Sequence, residues 1–231
     1  MRYYDKMGEL VRICSGKRVL HLGCVGETDA DVETRVAAAK ELLHWQLTQV
    51  ADVVGIDYAK EVVDEYERLG IFDNIMVGNV EHLDQLDIEG SFDVVVAGDI
   101  IEHLSNPGLM LDGIQRFCRP DTILVVNTPH TQSLPGFMRF VFGRYHEAKE
   151  HVMGFNALTL STLLRRHGYA VDSIDTCFQP QSRGHALFSA GRFFLSAFPR
   201  FGGTLFVQAH SVLAEKSGGV AGAQSAIDAK G

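Results

Sequence analysis

The sequence lacks the cysteine pairs and long apolar runs that mark disulfide-bonded secreted domains and membrane-spanning proteins. Its cysteines lie far apart and form no C-x-x-C pair; they are Cys14, Cys24, Cys118 and Cys177. Free thiols and a cytoplasmic location are therefore expected. No stretch reaches the roughly 18 apolar residues of a transmembrane helix, and no apolar run typical of a signal peptide follows the N-terminus. We therefore predict no membrane span and no signal peptide.

Positive charge is also in short supply. Among 231 residues, 21 are Lys or Arg and 29 are Asp or Glu, which gives a net charge of −8. Nucleic-acid-binding domains normally carry an excess of basic residues, so nucleic acid is not an expected partner. With 46% apolar residues and no internal repeat, the chain can bury the core of one domain. We predict a single domain over residues 1–214 and a disordered tail over residues 215–231, where small residues show no periodicity.

The most informative stretch is residues 19–28. Residues 19–22 form a short apolar run that predicts a buried parallel strand. A turn with Gly23 and Gly26 follows, and a helical pattern begins near Thr28. Glycine lets the backbone approach a ligand closely, and the N–H groups of the first helical turn face that ligand. The stretch predicts a nucleotide-like ligand, although such a turn also occurs as ordinary punctuation between a strand and a helix.

Further apolar runs predict strands that end in polar residues. The run at 52–57 ends in Asp57, the position at which a Rossmann-like fold holds ribose hydroxyls. A strand at 74–77 leads into a polar turn with Asn79, and a strand at 91–98 leads into Gly98 and Asp99. More strands are predicted at 122–127, 169–177 and 204–210. Helical periodicity predicts helices over residues 3–14, 29–50, 59–69, 107–118, 157–167 and 186–198. His44, on the second of these helices, is interpreted as a packed or solvated residue rather than a ligand.

In this order and spacing, the motifs from Lys17 to Asn127 resemble those of the class I S-adenosylmethionine-dependent methyltransferases, among them small-molecule O-methyltransferases of the ubiquinone-biosynthesis type. The resemblance implies an α/β fold with a Rossmann-like doubly wound sheet. This sheet would be mostly parallel, with an antiparallel last strand and a helical cap insertion at 131–156 after the fifth strand. The alternative for this segment is a peripheral core helix followed by a charged surface turn. The sequence departs from the family at two positions. His21 stands where an acid is usual, and Val25 replaces the middle glycine of the turn.

The resemblance also implies the cofactor, S-adenosylmethionine, which leaves as S-adenosylhomocysteine. The glycine turn would pack against its methionine and ribose portions, and Asp57 would accept hydrogen bonds from the ribose hydroxyls. Asn79 or Glu81 would face the adenine amine with Val80 against the ring, and the strand end at 98–99 would lie beside the sulfonium. The predicted cofactor-binding residues are His21, Gly23, Cys24, Val25, Gly26, Asp57, Tyr58, Asn79, Val80, Glu81, Gly98 and Asp99.

Histidine is the usual proton acceptor at neutral pH. The candidates for a general base are His103, His130, His146 and His151. Asp99, Glu102 and His103 are similar to the acidic-x-x-Glu-His motif with which the ubiquinone-biosynthesis enzymes bind a metal. A capped helix start is the simpler explanation, so no divalent metal is expected. If one binds, these three residues are its predicted ligands.

The predicted activity is methyl transfer to a small molecule. O-methylation of a sugar or secondary-metabolite hydroxyl is favoured over a plain aromatic or quinone-like acceptor, while N- or C-methylation and a homodimer are left open. Two alternatives remain. An NAD(P)-dependent oxidoreductase would share the fold, but it would need G-x-G-x-x-G and an acid about 20 residues later. A non-catalytic cofactor-binding protein would keep the site without transferring a methyl group.

Overall fold

The computed structural model describes residues 1–26, 28–143, 148–178 and 193–214. In this part of the chain, one sheet contains all the strands. They are β1 (Tyr3–Asp5), β2 (Arg18–Leu22), β3 (Asp52–Asp57), β4 (Ile75–Val77), β5 (Phe92–Gly98), β6 (Cys118–Pro129), β7 (Tyr169–Phe178) and β8 (Thr204–Ser211). Their order across the sheet is β1-β7-β8-β6-β5-β2-β3-β4. The strand order reverses after β2, which runs at the centre of the sheet.

The direction of the strands follows the expectation. β8 lies antiparallel between β6 and β7, and the remaining neighbours pair in parallel. Residues 94–97 of β5, the neighbour of β2, are apolar without alternation, and Val94, Val95 and Val96 are fully buried. Burial of both faces is typical of a parallel sheet covered by helices on each side. The predicted α/β fold with an antiparallel last strand is therefore confirmed.

The helices are α1 (Lys6–Cys14), α2 (Val32–Ala38), α3 (Leu43–Thr48), α4 (Lys60–Arg68), α5 (Pro107–Ile114), α6 (Leu134–Val141) and α7 (Ala157–Arg166). α2 and α6 have no buried residue, and the sheet is covered on both faces by others of these helices. The larger core lies under α5 and α7, and the core on the opposite face lies under α1 and α3. Within the described ranges, no helix combines the length and the apolar character that crossing a bilayer requires.

The prediction of one helix over residues 29–50 is wrong. α2 passes into a 3-10 turn at Ala39–Glu41, and Leu42 then adopts an extended conformation with φ −62° and ψ 144° before α3 begins. This break turns His44 and Leu47 inward, whereas Ala37 and Ala38 remain exposed. Packing against the sheet has overridden the helical periodicity of the sequence.

The N-terminal prediction was also incomplete, because the helix expected over residues 3–14 begins only at Lys6. Residues 3–5 form β1, which pairs in parallel with β7. Asp5 caps α1 by accepting a hydrogen bond of 3.0 Å from the N–H of Met7. Arg2 supports the pairing through an ion pair of 2.9 Å with Asp175. Lys6 is thereby placed at the edge of the sheet where the parallel strands end.

Most of the other predicted elements are present. The helix over 59–69 is α4, followed by Gly70 with φ +66°. The helix predicted from 107 ends as α5 at Ile114, and a 3-10 turn follows it. The helix over 157–167 is α7, whose capping box joins Asn156 and Thr159. For the helix over 186–198, residues 193–197 are helical and residues 186–192 lie outside the described ranges, as do His146 and the predicted tail.

Candidate functional site

The carboxyl ends of β2, β3, β5 and β6 bring the predicted site residues to one edge of the sheet. The glycine turn follows β2, Asp57 ends β3, and Asp99 follows β5. In open α/β sheets, ligands bind beyond the carboxyl ends of the strands at the point where strand order reverses. The sequence therefore placed these groups correctly relative to one another.

The glycine turn is shaped by two left-handed residues. Gly23 has φ +69° and Gly26 has φ +77°, a conformation that side chains with a Cβ rarely adopt. At Gly23 a Cβ would also lie 2.6 Å from Cδ1 of Ile100. Cys24 and Val25 are 3% and 1% exposed and pack in a small core with α4. The Val25 side chain thus points into the protein and leaves the ligand side of the turn to the backbone.

Asp57 links the glycine turn to the start of α4. It is buried, and its Oδ2 accepts a hydrogen bond of 3.1 Å from the N–H of Val25. Its Oδ1 accepts one of 3.1 Å from the N–H of Ala59. A carboxylate offers about four acceptor positions, so both oxygens retain capacity for ribose hydroxyls. The neighbouring Tyr58 is exposed.

The residues predicted to face adenine differ in their solvent exposure. Asn79 is exposed and caps the 3-10 segment Val80–Gln85, since its Oδ1 accepts a hydrogen bond of 2.9 Å from the N–H of Glu81. The Glu81 carboxylate accepts a hydrogen bond from the N–H of Asn106. Val80 is buried in the larger core. The segment is therefore anchored next to α5, at the end of the sheet where β4 lies.

A pair of buried histidines lies beneath the glycine turn. Nδ1 of His21 and Nδ1 of His44 are 3.2 Å apart, and the rings stack with an interplanar angle of 20°. Nε2 of His44 lies 3.2 Å from Oδ1 of Asn74, an oxygen that only accepts. We infer that His44 carries its proton on Nε2, so that its Nδ1 accepts a hydrogen bond from Nδ1–H of His21. Burial is the main reason that the pKa of each imidazole lies below its usual value.

Gly55 makes room for this pair. It lies opposite His21 in the register of β2 and β3. A Cβ at this position would lie 2.7 Å from Cε1 of His44 and 2.8 Å from Sγ of Cys24. His44 is therefore a packed residue, one of the two interpretations made from the sequence. Nothing in the sequence connects the three positions, because they meet only when β2, β3 and α3 pack together.

An ion pair between a buried lysine and a partly exposed aspartate lies at the end of β5. Asp99 adopts φ +50°, which is rare for a residue other than glycine, and its N–H donates a hydrogen bond of 3.0 Å to the carbonyl of Asn127. Its carboxylate forms an ion pair with Nζ of Lys6, whose side chain is 9% exposed. Sequence reasoning missed Lys6, which lies 93 residues before Asp99 and carries no motif.

The candidate bases include a second cluster beside this ion pair. Glu102, His103 and His151 place their ligand atoms within 4.8 Å of one another, and we call them the Glu102 cluster. The end of the insertion is anchored there, because the N–H of Val152 donates a hydrogen bond of 2.9 Å to the carbonyl of Glu102. The rings of His103 and His151 meet edge to face at 4.8 Å. The insertion thus delivers a histidine to the carboxyl end of β5.

The carboxyl group of Glu102 is unusual because it is buried and only partly hydrogen-bonded. It is 1% exposed, and Oε2 accepts a hydrogen bond of 2.9 Å from Oγ1 of Thr128. Oε1 is buried and has no hydrogen-bond partner among the described residues. Burial raises the pKa of Glu102 to about 7. Burial, followed by the field of His151, lowers the pKa of His103 despite a hydrogen bond to the backbone of Glu150.

The predicted metal ligands do not assemble as a set. Asp99 lies outside the Glu102 cluster and forms an ion pair with Lys6, whereas His151 supplies the third group. The family's acidic-x-x-Glu-His arrangement therefore does not fit this chain in the predicted form. One carboxylate and two imidazoles are suitable ligands for a transition metal, and they are equally suited to moving a proton.

His130 lies apart from the Glu102 cluster. It follows β6 directly, its N–H donates a hydrogen bond of 2.9 Å to the carbonyl of Gly203, and its Nδ1 lies 3.2 Å from the carbonyl of Gly202. A carbonyl only accepts, so the proton is on Nδ1 and the lone pair on Nε2. His130 is 4% exposed, and burial lowers its pKa.

Comparison with known proteins agrees with this geometry. The sequence profile described as a methyltransferase domain matches residues 4–174. A probable S-adenosylmethionine-dependent methyltransferase of Mycolicibacterium smegmatis is 29% identical over 164 residues, which cover 71% of this chain and 56% of that protein. The ubiquinone biosynthesis O-methyltransferase of Azorhizobium caulinodans is 26% identical over 132 residues, which cover 55% of this chain and 46% of that protein. The chain thus spans about half the length of these two curated relatives.

A solved structure shows the same fold. The N-methyltransferase NodS of Bradyrhizobium japonicum, crystallised with S-adenosyl-L-homocysteine, superposes with a TM-score of 0.53 at 15% identity. The alignment covers 90% of this chain and 86% of NodS. The family match extends over most of the described fold and includes both the glycine turn and Asp57. The chain therefore belongs to the family of class I S-adenosylmethionine-dependent methyltransferases, whose cofactor is S-adenosylmethionine.

Proposed function

We propose that the protein transfers the methyl group of S-adenosylmethionine to a hydroxyl of a small molecule such as a sugar or a secondary metabolite. The sulfonium already activates the methyl group, so the protein has to bind both substrates, align them and remove one proton. The observation that carries the proposal is the contact between His103 and His151, next to Asp99 at the end of β5. Two imidazoles beside the methyl donor are suited to an acceptor that has to lose a proton.

In this proposal His151 is the general base and His103 orients it. His103 is held by its hydrogen bond to the Glu150 backbone, and its lowered pKa keeps the ring neutral at pH 7. His151 belongs to the insertion, which would close over the acceptor. His130 is the second candidate, because β6 delivers it to the same edge of the sheet. A general base contributes about 10²–10⁴-fold to the rate.

The proposal does not use a divalent metal. Lys6 engages the carboxylate of Asp99, the residue that would lead the family's metal motif, and the Glu102 carboxyl has a pKa of about 7 because of burial. A metal would therefore have to compete with a proton for this carboxyl group at neutral pH. The remaining parts of the proposal are a cytoplasmic, single-domain enzyme over residues 1–214, without a nucleic-acid partner, in which residues 131–156 cap the acceptor.

The test is transfer of labelled methyl from S-adenosylmethionine to a panel of hydroxyl, amine and carbon acceptors, with mass spectrometry of the product. We expect an O-methylated product. With that acceptor, His151→Ala should reduce turnover about 10²–10⁴-fold and leave cofactor affinity nearly unchanged, whereas the exposed His82→Ala should change neither. N-methylation would refute the acceptor class, and normal turnover in both His151→Ala and His130→Ala would refute the assignment of the base.

The two alternatives have distinct outcomes in the same experiment. Binding of NAD or NADP in place of S-adenosylhomocysteine would indicate an oxidoreductase. Tight binding of S-adenosylhomocysteine without transfer to any acceptor on the panel would favour a non-catalytic cofactor-binding protein. Both outcomes would contradict the proposed methyl transfer.

A further inference from the structure

We infer that Lys6 and Asp99 form the subsite for the amino-acid end of S-adenosylmethionine, in which Lys6 binds the α-carboxylate and Asp99 binds the α-ammonium. The inference rests on the proposed function in that it needs the cofactor to bind at the carboxyl edge of the sheet. It adds a residue from α1 to a site otherwise built from strand ends. A different residue also recognises each of the two charges of the amino-acid end.

The burial of Lys6 is the first argument. Its side chain is 9% exposed, whereas the Asp99 side chain is 36% exposed. Burying an ammonium group costs free energy unless a charged or polar partner compensates it. Lysine side chains are therefore almost always exposed, and a buried lysine is nearly always paired. Here the first residue of α1 turns its charge inward to the end of β5. The partly exposed carboxylate leaves one side of the ion pair accessible from the site.

The position of Lys6 relative to β2 is the second argument. Lys6 directly follows β1, at the same carboxyl edge of the sheet where β2 leads into the glycine turn, and its charge contributes to the lowered pKa of His21 near the end of β2. The methionine portion of the cofactor packs against this turn in the proposed site. Lys6 and Asp99 therefore lie at the edge of the sheet where we place the amino-acid end of the cofactor, which carries the α-ammonium and the α-carboxylate.

The side chain of Asn127, beside Gly98 at the end of β5, is the third argument. A Cβ at Gly98 would make only contacts of ordinary length, the nearest with Cδ2 of Leu43 at 3.8 Å. Oδ1 of Asn127 lies 3.9 Å from that position. This oxygen is buried and has no hydrogen-bond partner among the described residues. An acceptor in that situation is suited to an N–H of the ligand's ammonium, the group we assign to Asp99.

Every charge in this subsite keeps an oppositely charged partner when the ligand binds. The ion pair of Lys6 and Asp99 exchanges for two ion pairs with the ligand, so no charge is left uncompensated in the bound state. A neutral His21 in place of the family's usual acid removes one carboxylate from this region. Asp99 then remains as the carboxylate that we assign to the ammonium.

Calorimetric titration with three ligands distinguishes recognition of the α-carboxylate from recognition of the α-ammonium. S-adenosylhomocysteine carries both charges, its decarboxylated analogue carries the ammonium alone, and 5′-methylthioadenosine carries neither. Lys6→Met should weaken S-adenosylhomocysteine about 10–100-fold, the range that corresponds to losing one charged hydrogen bond. It should not weaken the other two ligands. Asp99→Asn should weaken S-adenosylhomocysteine and the decarboxylated analogue but leave methylthioadenosine unchanged.

The controls address folding and general charge effects. Lys60→Met removes an exposed lysine paired with Asp64 and should leave all three affinities unchanged. Lys6→Arg keeps the charge and should retain S-adenosylhomocysteine binding within a few-fold. If Lys6→Met does not fold, the pattern of Asp99→Asn across the three ligands gives the decision.

Two results would overturn the inference and leave the cofactor in place. One is equal affinity of Lys6→Met and wild type for S-adenosylhomocysteine. The other is an equal loss for all three ligands, which would indicate that Lys6 only supports the fold. If the wild-type protein binds none of the three, the proposed function fails and the subsite fails with it.

Discussion

The buried histidine pair makes the stability of the fold depend on pH in a defined direction. The pKa values of His21 and His44 are lowered in the folded state, mainly by burial. Above about pH 6.5 both rings are neutral in the folded and unfolded states. As the pH falls below this value, the unfolded chain takes up protons that the folded chain does not. The contribution of the histidine pair to the free energy of unfolding therefore decreases towards acid pH.

The size of the effect follows from the number of protons. Each histidine lowers the free energy of unfolding by up to about 1.4 kcal/mol per pH unit between its two pKa values, and the pair by up to about 2.7 kcal/mol. The charges facing the rings act in opposite senses, because Lys6 lowers the pKa of His21 while Asp57 raises that of His44. Protonation of His44 at Nδ1 would also place two N–H donors against each other across the 3.2 Å contact.

The assay is urea unfolding of wild type and His21→Asn between pH 7.5 and pH 5.5. The asparagine amide can still donate to Nδ1 of His44 but does not titrate, so the variant should lose stability less steeply, by up to about 1.4 kcal/mol per pH unit. The other histidines of lowered pKa, His103 and His130, contribute equally to both proteins. His82→Asn, at an exposed position, should follow the wild type. Parallel curves for wild type and His21→Asn would refute the lowered pKa of His21 in the folded protein.

Three further predictions concern the site and its packing. Asp57→Ala should weaken S-adenosylhomocysteine at least about tenfold in calorimetry, since the ribose hydroxyls lose a charged acceptor; unchanged affinity would remove Asp57 from the cofactor site. Gly55→Ala should destabilise the protein by about 1–3 kcal/mol in urea unfolding because of overpacking against the histidine pair, while Gly203→Ala, with open space around it, should be neutral. Turnover should persist in excess chelator; loss of activity with restoration by magnesium or zinc would make the Glu102 cluster a metal site.

The features that could be predicted from the sequence are those encoded locally. An apolar run followed by a polar turn identified β2, β3 and β5, and parallel packing then placed Asp57 and Asp99 at one edge. The hydrophobic pattern also predicted α7 and its end. Each of these conclusions depends on residues within one strand–turn–helix unit, and the structure places them as expected.

The features that the sequence could not predict depend on distant partners. Tyr3–Asp5 is a strand only because β7 accepts it, and the helix break at Leu42 exists because His44 packs above Gly55. The inward side chain of Val25 explains why the missing middle glycine does not block the turn. Lys6 and His151 join the site through tertiary packing alone. No periodicity within a short window contains this information.

The pairing of β1 with β7 has a consequence for the order of assembly during translation. Arg2 and Asp175, which fasten the two strands together, are 173 residues apart, and β7 is held on its other side by β8. The N-terminus leaves the ribosome first. β1 therefore cannot pair in the sheet until residues 169–211, which form β7 and β8, have also been synthesised. A growing chain therefore acquires the glycine turn and Asp57 early, whereas Lys6 reaches Asp99 only after the last strand has been made.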